Sequence, residues 1–208
     1  MINVFCLWVG NKYSLEYVEK LHAGVKRNLT AEHRFICLTD KPNLHKVEGI
    51  EFIQAPITIA DSWCKLSLFV PRCMEKFEGT GFYLDLDVVI TGKLDVLIKN
   101  AKLDKLNTIG DWWRKGINSS VIIWDITKFS KIYMKFKASD MSRLKGDQDL
   151  INEVLQDNEI RHFGEVEVQS YKANNLKESF NKHTKIVVFH GKPKPHEVDG
   201  WVKEYWIN

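Results

Sequence analysis

The feature that most restricts what this chain can fold into is the regular exchange of two apolar periods along it. Residues 2–9 (INVFCLWV) form a continuous apolar run of strand length. Residues 14–29 (SLEYVEKLHAGVKRNL) then repeat apolar positions at helical spacing behind Ser14, a good N-cap residue. Strand-like runs follow at 34–39 and 50–54. A helix is predicted over 61–77, where Trp63, Leu66, Phe69 and Val70 recur at three- and four-residue steps. After the apolar run at 82–90, further strands are predicted at 106–110, 119–125 and 185–189, with helices near 127–137, 147–157 and 197–206. Strands that are apolar on both faces need cover on both. The alternation therefore predicts an α/β protein with a mainly parallel central sheet and helices on each side.

A chain of 208 residues is long enough for one substantial core, and no repeat, low-complexity tract or Pro/Gly/Ser linker divides it. One domain covering residues 1–208 is expected. The net charge of +3 is small and the lysines are scattered, so no nucleic-acid footprint is present, although a phosphorylated small molecule would suit this balance. The start MINVFCLWVG has no basic n-region and reads as a first strand, and no apolar run reaches membrane-spanning length. Cys6, Cys37, Cys64 and Cys73 lack C-x-x-C spacing and lie in apolar surroundings. They read as buried thiols outside any disulfide, and the expected setting is the cytoplasm. Asn28-Leu29-Thr30 and Asn118-Ser119-Ser120 match a glycosylation sequon but need a secretory context, so they carry no weight.

Within the run FYLDLDVVITG (82–92), Asp85 and Asp87 are separated only by Leu86. In an extended strand they would share one face with Tyr83, while Leu84, Leu86 and Val88 line the other. Two carboxylates that close repel unless a cation neutralises them, and a hard divalent metal or another positive group is implied. In open α/β sheets, ligands bind outside the carboxyl ends of the strands. Polar or glycine-containing turns follow several strands here: Gly10-Asn11-Lys12-Tyr13, Thr39-Asp40, Asp85-Leu86-Asp87 and His190-Gly191-Lys192. They are expected to converge on one crevice.

The ordered set DLD (85–87), INSSVIIWD (117–125), GDQDLIN (146–152) and FHGKPKP (189–195) resembles the single-domain, metal-dependent nucleotide-sugar glycosyltransferases of the A-type fold. Its nearest kin are the retaining enzymes of glycosyltransferase family 8 and related bacterial and viral proteins. The resemblance implies a Rossmann-like fold with a nucleotide-binding half to about residue 90 and an acceptor-binding half beyond it. It implies transfer of a hexose-type sugar from a UDP-sugar to a glycan, glycolipid or glycoprotein. It implies a Mn2+ or Mg2+ ion held by Asp85, Asp87 and His190, with Asp85 also meeting the donor.

By the same resemblance, Trp8, Val9 and Tyr13 would hold the base and ribose, and Lys65 is the basic residue near the donor. Asn118 matches the asparagine of the N-S-G motif, whose glycine is replaced here by Ser120. Lys194 or Lys192 would grip the diphosphate, the spacer before Lys-Pro being shorter than usual. In the D-Q-D segment, Asp147 would hold donor-sugar hydroxyls and Gln148 would lie near the anomeric carbon, with Asp149 beside them. Asp149 or Asp111 would be the base of an inverting enzyme.

Two other classes fit parts of the pattern. Haloacid-dehalogenase-type phosphohydrolases use D-x-D-x-[TV], but after the first strand and with a later acidic cluster that this sequence lacks. A non-catalytic sugar- or nucleotide-binding module would account for the aromatic residues. Trp112 and Trp113 in GDWWRKG read equally as a sugar-stacking surface or as core, whereas Trp201, Tyr205 and Trp206 are expected to pack a last helix onto the domain.

Overall fold

A computed structural model of the chain describes residues 1–59 and 61–208. The first half is built of strands β1 (Ile2–Trp8), β2 (His33–Thr39), β3 (Glu51–Gln54), β4 (Thr80–Leu84) and β5 (Val88–Ile90), with helices α1 (Leu15–Asn28) and α2 (Pro71–Met74). The second half adds α3 (Asp95–Asn100), β6 (Leu106–Gly110), β7 (Ile117–Asp125), α4 (Lys131–Lys135), α5 (Asp140–Arg143), α6 (Asp147–Val154), β8 (Ile160–His162), β9 (Val168–Ser170), β10 (Ile186–Val188) and α7 (Val202–Tyr205).

Seven strands form the central sheet in the order β3-β2-β1-β4-β7-β6-β8. Every neighbouring pair is parallel except the two made by β7, which runs against β4 and β6. The expected mainly parallel α/β sheet is therefore present. The alternation within β1 divides the interior. Val4, Cys6 and Trp8 enter one apolar cluster with α1 and the second sheet, while Phe5 and Leu7 enter another with Leu66, Phe69, Trp124 and α6. All four cysteines are buried and none is in a disulfide. No helix among the described residues is long and apolar enough to cross a membrane.

Two expectations are corrected. The run at 82–90 is not one strand: the Val88 amide donates to the Asp85 carbonyl at 3.3 Å in a turn, and β5 leaves to form a second sheet, β5-β10-β9. The segment 61–77 is a 3-10 helix, Asp61–Phe69, followed by the short α2. The break falls at Pro71, which forces Val70 into extended backbone and has no amide to continue the hydrogen-bond ladder. The helices expected near 127–137, 147–157 and 197–206 are shorter than their periodic windows, at Lys131–Lys135, Asp147–Val154 and Val202–Tyr205.

Gly81 of β4 lies under Trp124 of β7, and a Cβ there would stand 2.7 Å from two indole carbons. Both residues are in the sealed core, so the ring has no room to yield. Gly81→Ala is expected to lower stability by about 1–3 kcal/mol. Urea unfolding checks this, and an unchanged midpoint would mean that the Trp124 ring shifts freely.

Candidate active site

A cavity of about 430 Å³ opens where the carboxyl ends of β1, β4 and β10 meet the amino end of the reversed strand β7. Its walls include Val9 to Tyr13 after β1, Lys65 from the 3-10 helix and the Asp85–Asp87 turn. Asn118 and Ser120 of β7, Gln148 at the start of α6, and His190, Gly191 and Lys194 after β10 complete them. Three of the four predicted turns supply these walls. The fourth braces one of them, because the Gly10 amide donates to Asp40 Oδ2 at 3.1 Å. Gly10 has φ +72°, a conformation that a glycine adopts without strain, and it turns the chain sharply off β1.

The two aspartates are neutralised separately, each by its own lysine. Lys65 Nζ lies 2.9 Å from Asp85 Oδ1 and donates to Asp85 Oδ2 at 3.1 Å and to Ser119 Oγ at 3.0 Å. Tyr83 donates its hydroxyl to Asp85 Oδ1 at 2.5 Å. Burial alone would depress the Lys65 ammonium, but Asp85 and then Asp147 hold it above its ordinary value. Burial likewise pushes Asp85 up, but Lys65 together with hydrogen bonds from Tyr83 and Ser120 outweighs it, so the carboxyl lies below its usual range.

Asp147 completes this cluster from behind. It is 1% exposed, accepts the Ser119 hydroxyl at 2.6 Å, and is raised by burial that Lys65 offsets only in part. Its Oδ1 is buried without a hydrogen-bond partner among the described residues.

Asp87 sits on the other side of the turn. Tyr13 donates its hydroxyl to Asp87 Oδ2 at 2.8 Å, and the Lys194 ammonium pairs with the same oxygen while donating to the Phe189 carbonyl at 3.1 Å. Burial, followed by the Asp87 charge, raises the Tyr13 hydroxyl so far that it remains a donor. His190 faces the cavity beside them. Its Nε2 and the Ser170 hydroxyl share a 2.7 Å hydrogen bond, and burial, aided by Lys172, lowers its pKa so that the ring stays neutral.

The remaining candidates are distributed unevenly. Val9, Tyr13, Lys65, Asn118, Lys194 and Gln148 all line the cavity. Trp8 does not: β-strand alternation turns it to the opposite side of the sheet, where its indole donates to the Tyr13 carbonyl at 2.8 Å and steadies that turn. Lys192 points into solvent and pairs with Glu197 at 3.0 Å, which leaves Lys194 as the lysine of this loop that reaches the cavity. The three residues of D-Q-D do not act together on one wall. Successive helical residues are turned by about 100°, so Gln148 faces the cavity, Asp147 lies behind it, and Asp149 pairs with Arg114 at 3.0 Å. Asp111 is absent from the walls and caps the Trp113 and Arg114 amides instead.

Sequence reasoning missed Ser119 and Tyr83 as partners of the charged cluster. The INSSVIIWD run contained the first, and the shared strand face already put Tyr83 beside Asp85 without naming the hydrogen bond that its hydroxyl makes.

No group of three His, Cys, Asp or Glu side chains among the described residues is gathered as a ready ligand set. Two carboxylates and an imidazole nevertheless open onto one cavity, a donor set that suits a hard divalent ion in kind. One oxygen of Asp87, Oδ2, is held by Tyr13 and Lys194.

The sheet order, the reversed strand β7 and the polar cavity at the strand ends make an α/β fold that solved glycosyltransferases have in common with this chain. The glycosyltransferase GlyE of Streptococcus pneumoniae TIGR4 matches with a TM-score of 0.71 at 16% identity, over 99% of this chain and 59% of GlyE. The galactosyltransferase LgtC, solved with donor and acceptor sugar analogues, matches with a TM-score of 0.59 at 15% identity, over 94% of this chain and 89% of LgtC. An active-site mutant of LgtC, with a glutamine changed to glutamate, matches with a TM-score of 0.58 at 14% identity, over 98% and 93%. The chain thus spans little more than half of GlyE. No protein-family model matches the sequence, and no curated protein is similar to it.

Proposed function

We propose that this chain is a glycosyltransferase that moves a hexose-type sugar from a nucleoside diphosphate donor, a UDP-sugar, to a glycan, glycolipid or glycoprotein acceptor. The observation that carries this reading is the meeting of Lys65, Lys194, Asp85, Asp87 and Gln148 on one cavity, in a fold held in common with glycosyltransferases. Glycosyl transfer gathers negative charge on the departing diphosphate and positive charge on the sugar ring. Lys194 is suited to the first, since its ammonium lies at the cavity wall on a carboxylate and a carbonyl that hold it without consuming all its protons. A Mn2+ or Mg2+ ion held by Asp85, Asp87 and His190 would add Lewis-acid stabilisation of the same leaving group. Tyr13 and Lys65 orient the two carboxylates for that duty.

The groups on the cavity wall support a retaining course. Asp85 and Asp87 are the only carboxylates among the described residues lining the cavity, and each is committed to a lysine. Neither is placed as a free general base, while Asp147, Asp149 and Asp111 are buried or turned elsewhere. Gln148 remains beside the reacting space. Its amide is neither base nor nucleophile, but its carbonyl oxygen can stabilise an oxocarbenium-like charge. This arrangement favours transfer on the face the donor leaves, with the departing diphosphate oxygen taking the acceptor proton and the anomeric configuration retained. The LgtC structure described as a glutamine-to-glutamate active-site mutant supports attention to a glutamine in this fold. The four reduced cysteines suit a cytoplasmic setting.

NMR of the product tests the reading. Retention is expected, with Gln148→Ala slowed on the order of 10²-fold. An inverted product would remove the retaining assignment.

A further inference from the structure

We infer that the exposed indole of Trp113 is the acceptor platform, on which a sugar ring of the glycan acceptor stacks; this rests on the glycosyltransferase reading. Trp113 is 68% exposed and is the one aromatic among the large hydrophobic residues that the described surface leaves uncovered. Its flat apolar face matches the C–H face of a pyranose ring.

The side chain is not on a loose loop. Asp111 Oδ1 accepts the Trp113 amide at 2.8 Å and the Arg114 amide at 3.1 Å, and the Asp111 amide closes the loop on the Gly116 carbonyl at 2.9 Å. Arg114 then pairs with Asp149 at 3.0 Å, which fastens the loop to the helix that carries Gln148. Trp112 turns inward and stacks on His190 with ring centroids 5.5 Å apart and planes at 11°. Trp113 meets the same imidazole at 6.4 Å with the ring planes at 72°, which puts its indole beside a residue of the cavity wall.

Position along the sheet separates this loop from the nucleotide end. The loop joins β6 to β7, whereas the Gly10–Tyr13 turn follows β1, and the order β1-β4-β7-β6 puts two to three strand spacings between them, roughly 10–14 Å. The Asp85–Asp87 turn after β4 lies in between. A donor whose base lies at the β1 end and whose diphosphate lies at the aspartates directs its sugar toward Trp113.

Saturation-transfer NMR with methyl β-galactoside, methyl β-glucoside and lactose tests the assignment on the full chain. Calorimetry with UDP and Mn2+ runs in parallel. The wild type is expected to show sugar contacts that Trp113→Ala weakens about tenfold and that Trp113→Phe largely restores, with UDP affinity the same in all three. Sugar contacts that are equal in wild type and Trp113→Ala, or missing from the wild type, would overturn the platform. So would a loss confined to UDP, which would make Trp113 a base-stacking residue. If no variant binds UDP, the glycosyltransferase reading fails, while the sugar arm still decides what Trp113 does.

Discussion

Lys65→Met should cost the fold about 3 kcal/mol at neutral pH, the lower end of what removing one partner of a buried ion pair costs, because Asp85 keeps 22% of its side chain open to the cavity. The substitution keeps the apolar stem, so the loss reports the ammonium, its charge and its hydrogen bonds to Asp85 and Ser119, rather than packing. It would leave the charges of Asp85 and Asp147, which act on each other, with no cation beside them. Both would then have folded-state pKa values raised above the ordinary 3.8.

A carboxyl group raised in the fold destabilises it when ionised, and the effect fades as pH falls through the folded value toward the unfolded one. The gap between variant and wild type, measured by urea unfolding at each pH, should therefore narrow steadily between neutrality and pH 4. A gap independent of pH would mean that the lost lysine mattered for packing and not for charge.

Lys194→Met should change two affinities in opposite directions. Lys194 shares Asp87 Oδ2 with the Tyr13 hydroxyl, so any divalent ion seeking that oxygen competes with an ammonium already there. On the proposed reading, taking the ammonium away strengthens binding of Mn2+ alone and weakens binding of UDP in saturating Mn2+. A charge-assisted hydrogen bond contributes about 1.5–3 kcal/mol, so the UDP loss should be roughly 10- to 100-fold. Lys192→Met, whose lysine points into solvent beside Glu197, should leave both affinities unchanged and serves as the control. Calorimetry with the ion alone and with UDP separates the two effects. Mn2+ affinity unchanged by Lys194→Met would mean that lysine and ion do not share the oxygen.

The architecture was legible where apolar periods were long. β1, α1, β2 and β6 fall within a residue or so of their windows, and the parallel order follows from strands that are apolar on both faces. Three-residue strands such as β8 and β9 carry too little alternation to be seen, and the second sheet was invisible because its register depends on residues about a hundred positions apart.

The site was legible as residue types and only partly as roles. D-x-D implied a divalent ion or another positive group beside the pair, and two lysines distant in sequence lie on it, one on each side of the turn. The GDQD string could not say which of its residues faces the ligand until a helix rotated them apart. Lys192 and Lys194 were indistinguishable by spacing, and the fold separates them by exposure.

The break between β4 and β5 gives the aspartate pair a mechanical meaning. Asp85 ends the seven-stranded sheet, pinned to β7 by its amide on the Ser120 carbonyl at 2.9 Å. Asp87 begins the three-stranded sheet, its carbonyl accepting the Phe189 amide at 3.3 Å just beyond β10. The distance between the two carboxylates is thus a gauge of how one sheet lies against the other. Slippage between them would be felt first at the centre of the cavity, so side chains packed along β9 and β10, remote from any ligand, help to set the calibration of the charged pair.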